Sequence, residues 1–312
     1  MTDNSSRLPH GIRREESLAR HSSLKVGGPA EYYAEYATSE DAALLLAWAR
    51  EHGVPVRAIG GGSNLLISER GVDGLVVRAT GNRSEVTDGS AGAVLEADAG
   101  VTIAGAARRC AKRDFGGLEW ASNVPGTVGG AVVNNAGAFG GDTASSLLAA
   151  WVVEAGGALR RAETVELGYA YRTSVLKRRE WGELLVVRAE LRLTRSEPGV
   201  ADALVKQYQA QRTRTQPRIQ SAGSVFANPP GDYSGRLIEA AGLKGVREGG
   251  AQVSEQHANF IVNPGGATPR DVYALVQRAQ RAVFELHGVW LHPEIELFGR
   301  WTEAERDALR HP

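Results

Sequence analysis

Two spacings organise the C-terminal third of the chain. Val272, Leu275, Ala279, Ala282, Val283 and Leu286 recur on a helical period. Ahead of them, Thr268-Pro269-Arg270-Asp271 is a capping arrangement with proline at the first helical position. A helix is therefore predicted from Thr268 to His287, ended by Gly288. Directly after it, Val289 to Phe298 alternates with period two: Leu291, Ile295 and Leu297 point one way, and His292, Glu294 and Glu296 the other. This reads as a strand whose polar side either lines a cleft or meets water.

The same patterning divides the rest of the chain. Residues 1–20 are polar and mixed in charge and are expected as a poorly fixed leader. Ser39 to His52 reads as a helix, with Thr38 or Ser39 as cap, Glu40 and Asp41 in the first turn and Gly53 as stop. Val54 to Ile59 reads as a strand running into Gly60-Gly61-Gly62-Ser63-Asn64. Strand-like runs follow at Leu65–Ile67 and Leu75–Val77, with a turn expected at Gly71–Gly74, and then at Val94–Ala97. Thr102 opens a helix to about Arg113. Residues 116–141 are so rich in glycine and small residues that they form either a flexible loop or a backbone shaped around something else. Strands are predicted at Ala150–Val153, Thr164–Leu167 and Leu184–Leu193, and a helix from Pro198 to Arg212. The arginine-rich link that follows marks the main domain boundary, and the last hundred residues read as a second α/β unit.

Composition narrows the function classes. A chain of 312 residues exceeds one ordinary domain, so two or three substructures are expected. Lys+Arg and Asp+Glu balance at 36 each, which argues against nucleic-acid binding and against a membrane surface as partner. Cys110 is the single cysteine, which excludes disulfides within the chain and cysteine-based zinc sites. No metal site is expected. No stretch approaches the roughly 20 apolar residues of a membrane span, and the N-terminus has no apolar signal-like core. A cytoplasmic protein is expected, and neutral charge is compatible with a monomer.

Candidate chemistry lies in a few short segments. In Ser221-Ala222-Gly223-Ser224-Val225-Phe226-Ala227-Asn228-Pro229, Gly223 frees the backbone just before Ser224, and Val225 and Phe226 anchor the far side. No Ser-His-Asp pattern accompanies that hydroxyl. Gly60-Gly61-Gly62-Ser63-Asn64 follows a strand, as a phosphate cradle does, but strand formers come next instead of the helix a dinucleotide-binding βαβ unit requires. A plain turn explains this loop equally well. Pro125-Gly126-Thr127-Val128-Gly129-Gly130 repeats the signal, and two such loops from opposite sides of one domain can sandwich a flat, bulky cofactor. Tyr171-Arg172 offers a guanidinium for a carboxylate, or a surface arginine stacked on its neighbour. His257 and Asn259 are expected on one strand face. His257 has no second histidine at ligand spacing, so a packed or hydrogen-bonded role is favoured over a metal.

Taken in order, these segments resemble the UDP-N-acetylenolpyruvoylglucosamine reductases of peptidoglycan synthesis, the MurB family. The likeness runs from about Leu24 to Gly299 and rests on Val26-Gly27-Gly28-Pro29-Ala30, Gly60 to Leu66, Val124 to Ala131, Tyr171-Arg172-Thr173-Ser174, Gly223 to Phe226, His257 to Phe260 and Pro293-Glu294. The resemblance implies an α+β fold: a vanillyl-alcohol-oxidase/PCMH-like FAD-binding domain of two α/β subdomains, 21–80 and 81–212, and a C-terminal substrate domain, 213–312. It implies FAD and NADPH as cofactors and UDP-N-acetylglucosamine enolpyruvate as substrate, reduced to UDP-N-acetylmuramate. Hydride would pass from flavin N5 to C3 of the enolpyruvyl group and a proton from serine to C2.

By the same resemblance Arg172, Ser224 and Glu294 are catalytic, with Glu294 either orienting substrate or donating a proton. Gly60, Gly61, Gly62, Ser63, Asn64, Pro125, Gly126, Thr127, Gly129 and Gly130 hold the cofactor, and Tyr171, Asn228, His257 and Asn259 the substrate. The chain departs from the family pattern at Asn123, Ala227 and His292. Its short links from Arg172 to Ser224 and from Asn228 to Leu243 resemble the compact subclass without a tyrosine-bearing lid loop. Two other readings share the features: a flavin oxidase of the same fold and a catalytically silent flavin-binding protein. No histidine able to tether flavin lies in either glycine-rich loop, and the complete Arg172, Ser224 and Glu294 set argues against silence.

Overall fold

The computed structural model describes residues 11–89 and 92–311. A first sheet has the strand order Arg13–Ser17, Pro29–Tyr36, Val72–Ala79, Val56–Ile59. The last three run parallel, which demands a crossover, and the helix Ser39–Glu51 supplies it. Thr38 caps that helix in a reciprocal box with Asp41, and Gly53, at φ 63°, lets the chain leave it.

The second sheet is antiparallel, in the order Leu159–Glu163, Leu147–Glu154, Leu184–Arg195, Gly92–Asp98, Ser84–Gly89. The crossover helix belongs to both sheets. Its Leu45, Leu46 and Trp48 share one core with Leu75 and Val77 of the first sheet and Val152 and Val186 of the second. Within that core, Tyr36 donates to the Val186 carbonyl at 2.8 Å, tying the sheets together across a buried gap.

The third unit is a four-stranded antiparallel sheet, ordered Ser221–Ser224, Phe260–Val262, Ala251–Val253, Arg247–Glu248. The predicted long helix, Pro269–His287, has its Thr268–Asp271 capping box and leaves through Gly288 at φ 67°. Its buried face carries Val272, Leu275, Val276, Ala279 and Val283, whereas Leu286 is exposed. This unit does not close on itself. Leu24, Val26 and Leu66 complete its core, and Glu296–Phe298 pairs in parallel with Leu65–Ile67. Those crossings bring residues near Glu294 against the glycine-rich loop that precedes Leu65.

Several expectations are corrected. Of the leader, residues 1–10 lie outside the described residues, but Arg13–Ser17 is an edge strand and Leu18 is fully buried beneath it. An edge strand with no apolar residue shows no alternation, which hid it. Gly71–Gly74 is no turn: the strand Val72–Ala79 runs through it, with Gly74 at φ 84° where the register shifts against Ala30 and Tyr32. Thr164–Leu167 is a 3-10 turn, not a strand. The glycine-dense segment contains the helix Val128–Asn134. The helix expected to stop at Arg212 is Val200–Thr215 and runs into the arginine-rich link. The alternating C-terminal segment forms ladder pairs only at Glu296–Phe298, beside a bridge between Pro293 and Phe226.

Candidate active site

A cavity of about 360 Å³ opens where the three units meet. Gly60 to Asn64 and Pro125 to Thr127 both line it, together with Arg172, Ser224 and Glu294. The two glycine-rich loops do not face each other as jaws. They pack backbone to backbone: a Cβ on Gly61 would stand 2.8 Å from the Gly126 Cα, and one on Gly60 would stand 2.6 Å from the Thr127 hydroxyl. Ser63 Oγ donates across the seam to the Pro125 carbonyl at 3.3 Å. The loops therefore form one continuous cradle, and glycine is required at Gly61 because only a bare Cα permits that approach.

Among the described residues, the amides of Gly61, Gly62, Ser63, Asn64, Gly126 and Thr127 donate to no protein acceptor. By contrast, the Val128 and Gly129 amides are taken by Val101 and Ala99 carbonyls, at 2.8 and 2.9 Å. A row of unused amides on a cavity wall suits the oxygens of a diphosphate. Apolar flanks at Ile59, Val124, Val133, Leu176 and Val186 suit flat rings. These residues fit a flavin dinucleotide.

Ser224 ends the strand Ser221–Ser224, and a register shift with Gly223 at φ 75° delivers it to the cavity. Only a residue without Cβ adopts that backbone readily, which is why the glycine precedes the serine. Beyond it, Val225 accepts from the Glu294 amide at 2.8 Å, so the serine and glutamate segments lie side by side. The Glu294 carboxylate accepts from Arg172 Nε at 2.6 Å and from the Tyr171 hydroxyl at 3.3 Å. Both of its oxygens are acceptors, the geometry of an orienting partner. Arg172 itself sits at φ 55°, donates through Nη2 to the Gly137 carbonyl at 2.9 Å, and lies over the Tyr171 ring.

Two residues that sequence reasoning passed over hold this arrangement. Lys177 Nζ donates to the Arg172 carbonyl at 3.0 Å, bracing its left-handed backbone. Asn135 donates to the Ala170 carbonyl at 3.0 Å, fastening the same turn to the cradle helix. The Asn134-Asn135 pair at the end of the glycine-dense segment was the available signal for the second. Nothing marked Lys177.

The expected substrate contacts divide. Tyr171 reaches Glu294, and burial followed by that carboxylate raises its pKa. Asn228 accepts from the Ser234 amide at 3.1 Å, closing the turn into a short helix. His257 and Asn259 share no strand face, because the ladder begins only at Phe260. Neither lines the cavity. His257 accepts from the Asn259 amide, and burial, then the Lys244 charge, lowers its pKa.

Asn259 is buried and clips the Phe226 backbone, accepting from its amide at 2.9 Å and donating to its carbonyl at 2.8 Å. Replacing it with alanine strands two buried polar groups at roughly 1–3 kcal/mol each. Asn259→Ala is expected to lower stability to urea by several kcal/mol, read as a shifted midpoint at unchanged slope. At the departures from the family pattern, Asn123 donates to Ser122 Oγ, while Ala227 and His292 meet through their backbones.

Residues 30–163 match the profile of an FAD binding domain, and residues 215–298 that of the UDP-N-acetylenolpyruvoylglucosamine reductase C-terminal domain. The chain is 45% identical over 292 residues to the UDP-N-acetylenolpyruvoylglucosamine reductase of Chloroflexus aggregans, covering 93% of this chain and 98% of that one. It is 43% identical to UDP-N-acetylenolpyruvoylglucosamine reductase 2 of Symbiobacterium thermophilum, with 94% of each covered. The solved structure of the Thermus caldophilus UDP-N-acetylenolpyruvylglucosamine reductase aligns at TM-score 0.78 and 34% identity, over 92% of this chain and 99% of that one.

Proposed function

The chain belongs to the UDP-N-acetylenolpyruvoylglucosamine reductase family, and from that premise we propose that it reduces UDP-N-acetylglucosamine enolpyruvate to UDP-N-acetylmuramate with NADPH. The observation that carries this reading is the Arg172–Glu294 pair held beside the Ser224 strand on the same cavity as the glycine cradle. The glycine cradle would hold FAD, whose chemistry there would be to carry a hydride from NADPH to C3 of the enolpyruvyl group.

The protein's own residues then manage charge and one proton. Hydride arrival at C3 leaves electron density at C2 that spreads into the adjoining carboxylate. Arg172, with Nε and Nη2 anchored, keeps Nη1 for that carboxylate and stabilises the charge as it grows. Glu294 fixes the guanidinium's direction. Ser224 gives its hydroxyl proton to C2; a serine is a weak acid, but the carbanion is a strong base, and position supplies the rest. The alkoxide left behind regains a proton from solvent before the next turnover.

Tyr171 contributes its ring beneath Arg172, while Asn228, His257 and Asn259 act behind the wall by fixing the serine segment. Among the described residues no helix is long and apolar enough to cross a membrane, and we place the protein in the cytoplasm as a monomer. Its short links correspond to the compact subclass without a lid loop. Purified protein loaded with FAD is expected to oxidise NADPH only when the enolpyruvyl sugar nucleotide is present, with a product heavier by two hydrogens in mass spectrometry. NADPH oxidation that ignores that substrate and releases peroxide would overturn the proposal.

A further inference from the structure

Arg57 lies on the cavity wall, on the strand that runs into the glycine cradle. It is half-buried, and its Nε is enclosed with no acceptor. Among the described residues its guanidinium forms no ion pair. Two further guanidiniums act on it. Arg179 is fixed by donating to the Val56 carbonyl at 2.7 Å, and Arg306 by donating to the Leu297 and Gly299 carbonyls at 3.0 and 2.9 Å. Burial, then the charges of Arg179 and Arg306, lowers the Arg57 pKa.

Two carboxylates oppose this, but neither pairs with Arg57. Asp73 accepts from Arg300 at 2.6 Å, and Glu296 lines the cavity without contacting the guanidinium. A cation crowded by like charges, with a buried donor unused, is costly until an anion joins it. A guanidinium is shaped for the paired oxygens of a phosphate.

The position of Arg57 favours a phosphate other than the one the glycine cradle would hold. The unused amides of Gly61 to Asn64 would serve the diphosphate of a bound dinucleotide. Arg57 instead stands over the Phe298 ring, 6.0 Å from its centroid, against the segment that also carries Glu294 and Glu296. Phe298, Glu294 and Glu296 form a stretch of the cavity wall supplied by the C-terminal unit, apart from the glycine-rich loops. Building on the function proposed above, we propose that Arg57 is a phosphate-binding residue for the incoming nucleotides, separate from the cofactor cradle. The phosphate is the 2′-phosphate of NADPH or the diphosphate of the sugar nucleotide.

The test uses FAD-loaded Arg57→Ala and Arg57→Gln proteins, checked for unchanged melting temperature, with 2′,5′-ADP and UDP as calorimetric probes beside steady-state kinetics. Loss of a charged hydrogen bond to phosphate predicts weakening by about tenfold or more. If 2′,5′-ADP binding and the KM for NADPH suffer while that for NADH holds, the phosphate is the reductant's. If UDP binding and the sugar nucleotide KM suffer instead, it is the substrate's. Unchanged binding of both probes, or a loss confined to FAD affinity in fluorescence titration, overturns the assignment. The probe measurements need no turnover, so they stay informative if wild-type reductase activity is absent; that absence would count against the function alone.

Discussion

Ser224→Ala is expected to leave a folded, FAD-loaded protein that NADPH reduces at the normal rate but that passes its electrons to the enolpyruvyl substrate far more slowly. The loss should be on the order of 10²–10⁴-fold, the range for removing a positioned proton donor. The substitution isolates chemistry from folding because Ser224 Oγ makes no hydrogen bond among the described residues. What orders the segment is its backbone: the ladder to Phe260, the Val225 carbonyl receiving Glu294, and the Asn259 clip on Phe226. None of these involves the hydroxyl. Anaerobic stopped-flow traces at the flavin absorbance separate the two half-reactions, and melting curves of the two proteins should coincide. A substrate half-reaction as fast as wild type would remove Ser224 from the proton path.

Short-range signals in the sequence read well, and long-range ones did not. The Thr38 and Thr268 caps, the strand entering Gly60 and the Gly223–Ser224 presentation are each set by a few neighbouring residues, and the structure has all of them. The failures needed partners from elsewhere. Arg13–Ser17 is a strand only because Pro29–Tyr36 offers an edge. His257 and Asn259 satisfy a parity argument, yet a turn intervenes before the ladder starts at Phe260.

The contact between Gly61 and Gly126 joins segments whose proximity no local pattern encodes. Two glycine-rich loops therefore suggested jaws where the fold makes one wall. At the site, motif residues were recognisable by type, but the braces Lys177 and Asn135 hold backbone carbonyls. A side chain that serves another residue's backbone has no chemical signature of its own.

Arg172→Ala is expected to lower turnover with the enolpyruvyl substrate by roughly 10²–10³-fold, the scale of removing a donor aimed at developing charge. The guanidinium is preorganised at both ends. Glu294 holds Nε at 2.6 Å, Gly137 holds Nη2 at 2.9 Å, and Lys177 fixes the backbone in its left-handed turn. In the proposed mechanism little reorganisation would be left for the moment when charge reaches the substrate carboxylate, so the benefit would fall on the transition state more than on binding. The loss should accordingly appear in kcat and in kcat/KM alike. A rise in KM at constant kcat would mean that Arg172 only binds.

Arg172→Lys should recover little. An ammonium has no planar fork, so it cannot keep Glu294 and Gly137 as partners while meeting a third group. Glu294→Gln leaves Arg172 an uncharged acceptor at the same place, and should cost less than the loss of Arg172 while shifting the same parameter. If Glu294→Gln proved the more damaging of the two, the carboxylate would be acting on substrate directly, and its placement as the partner that aims Arg172 would fail.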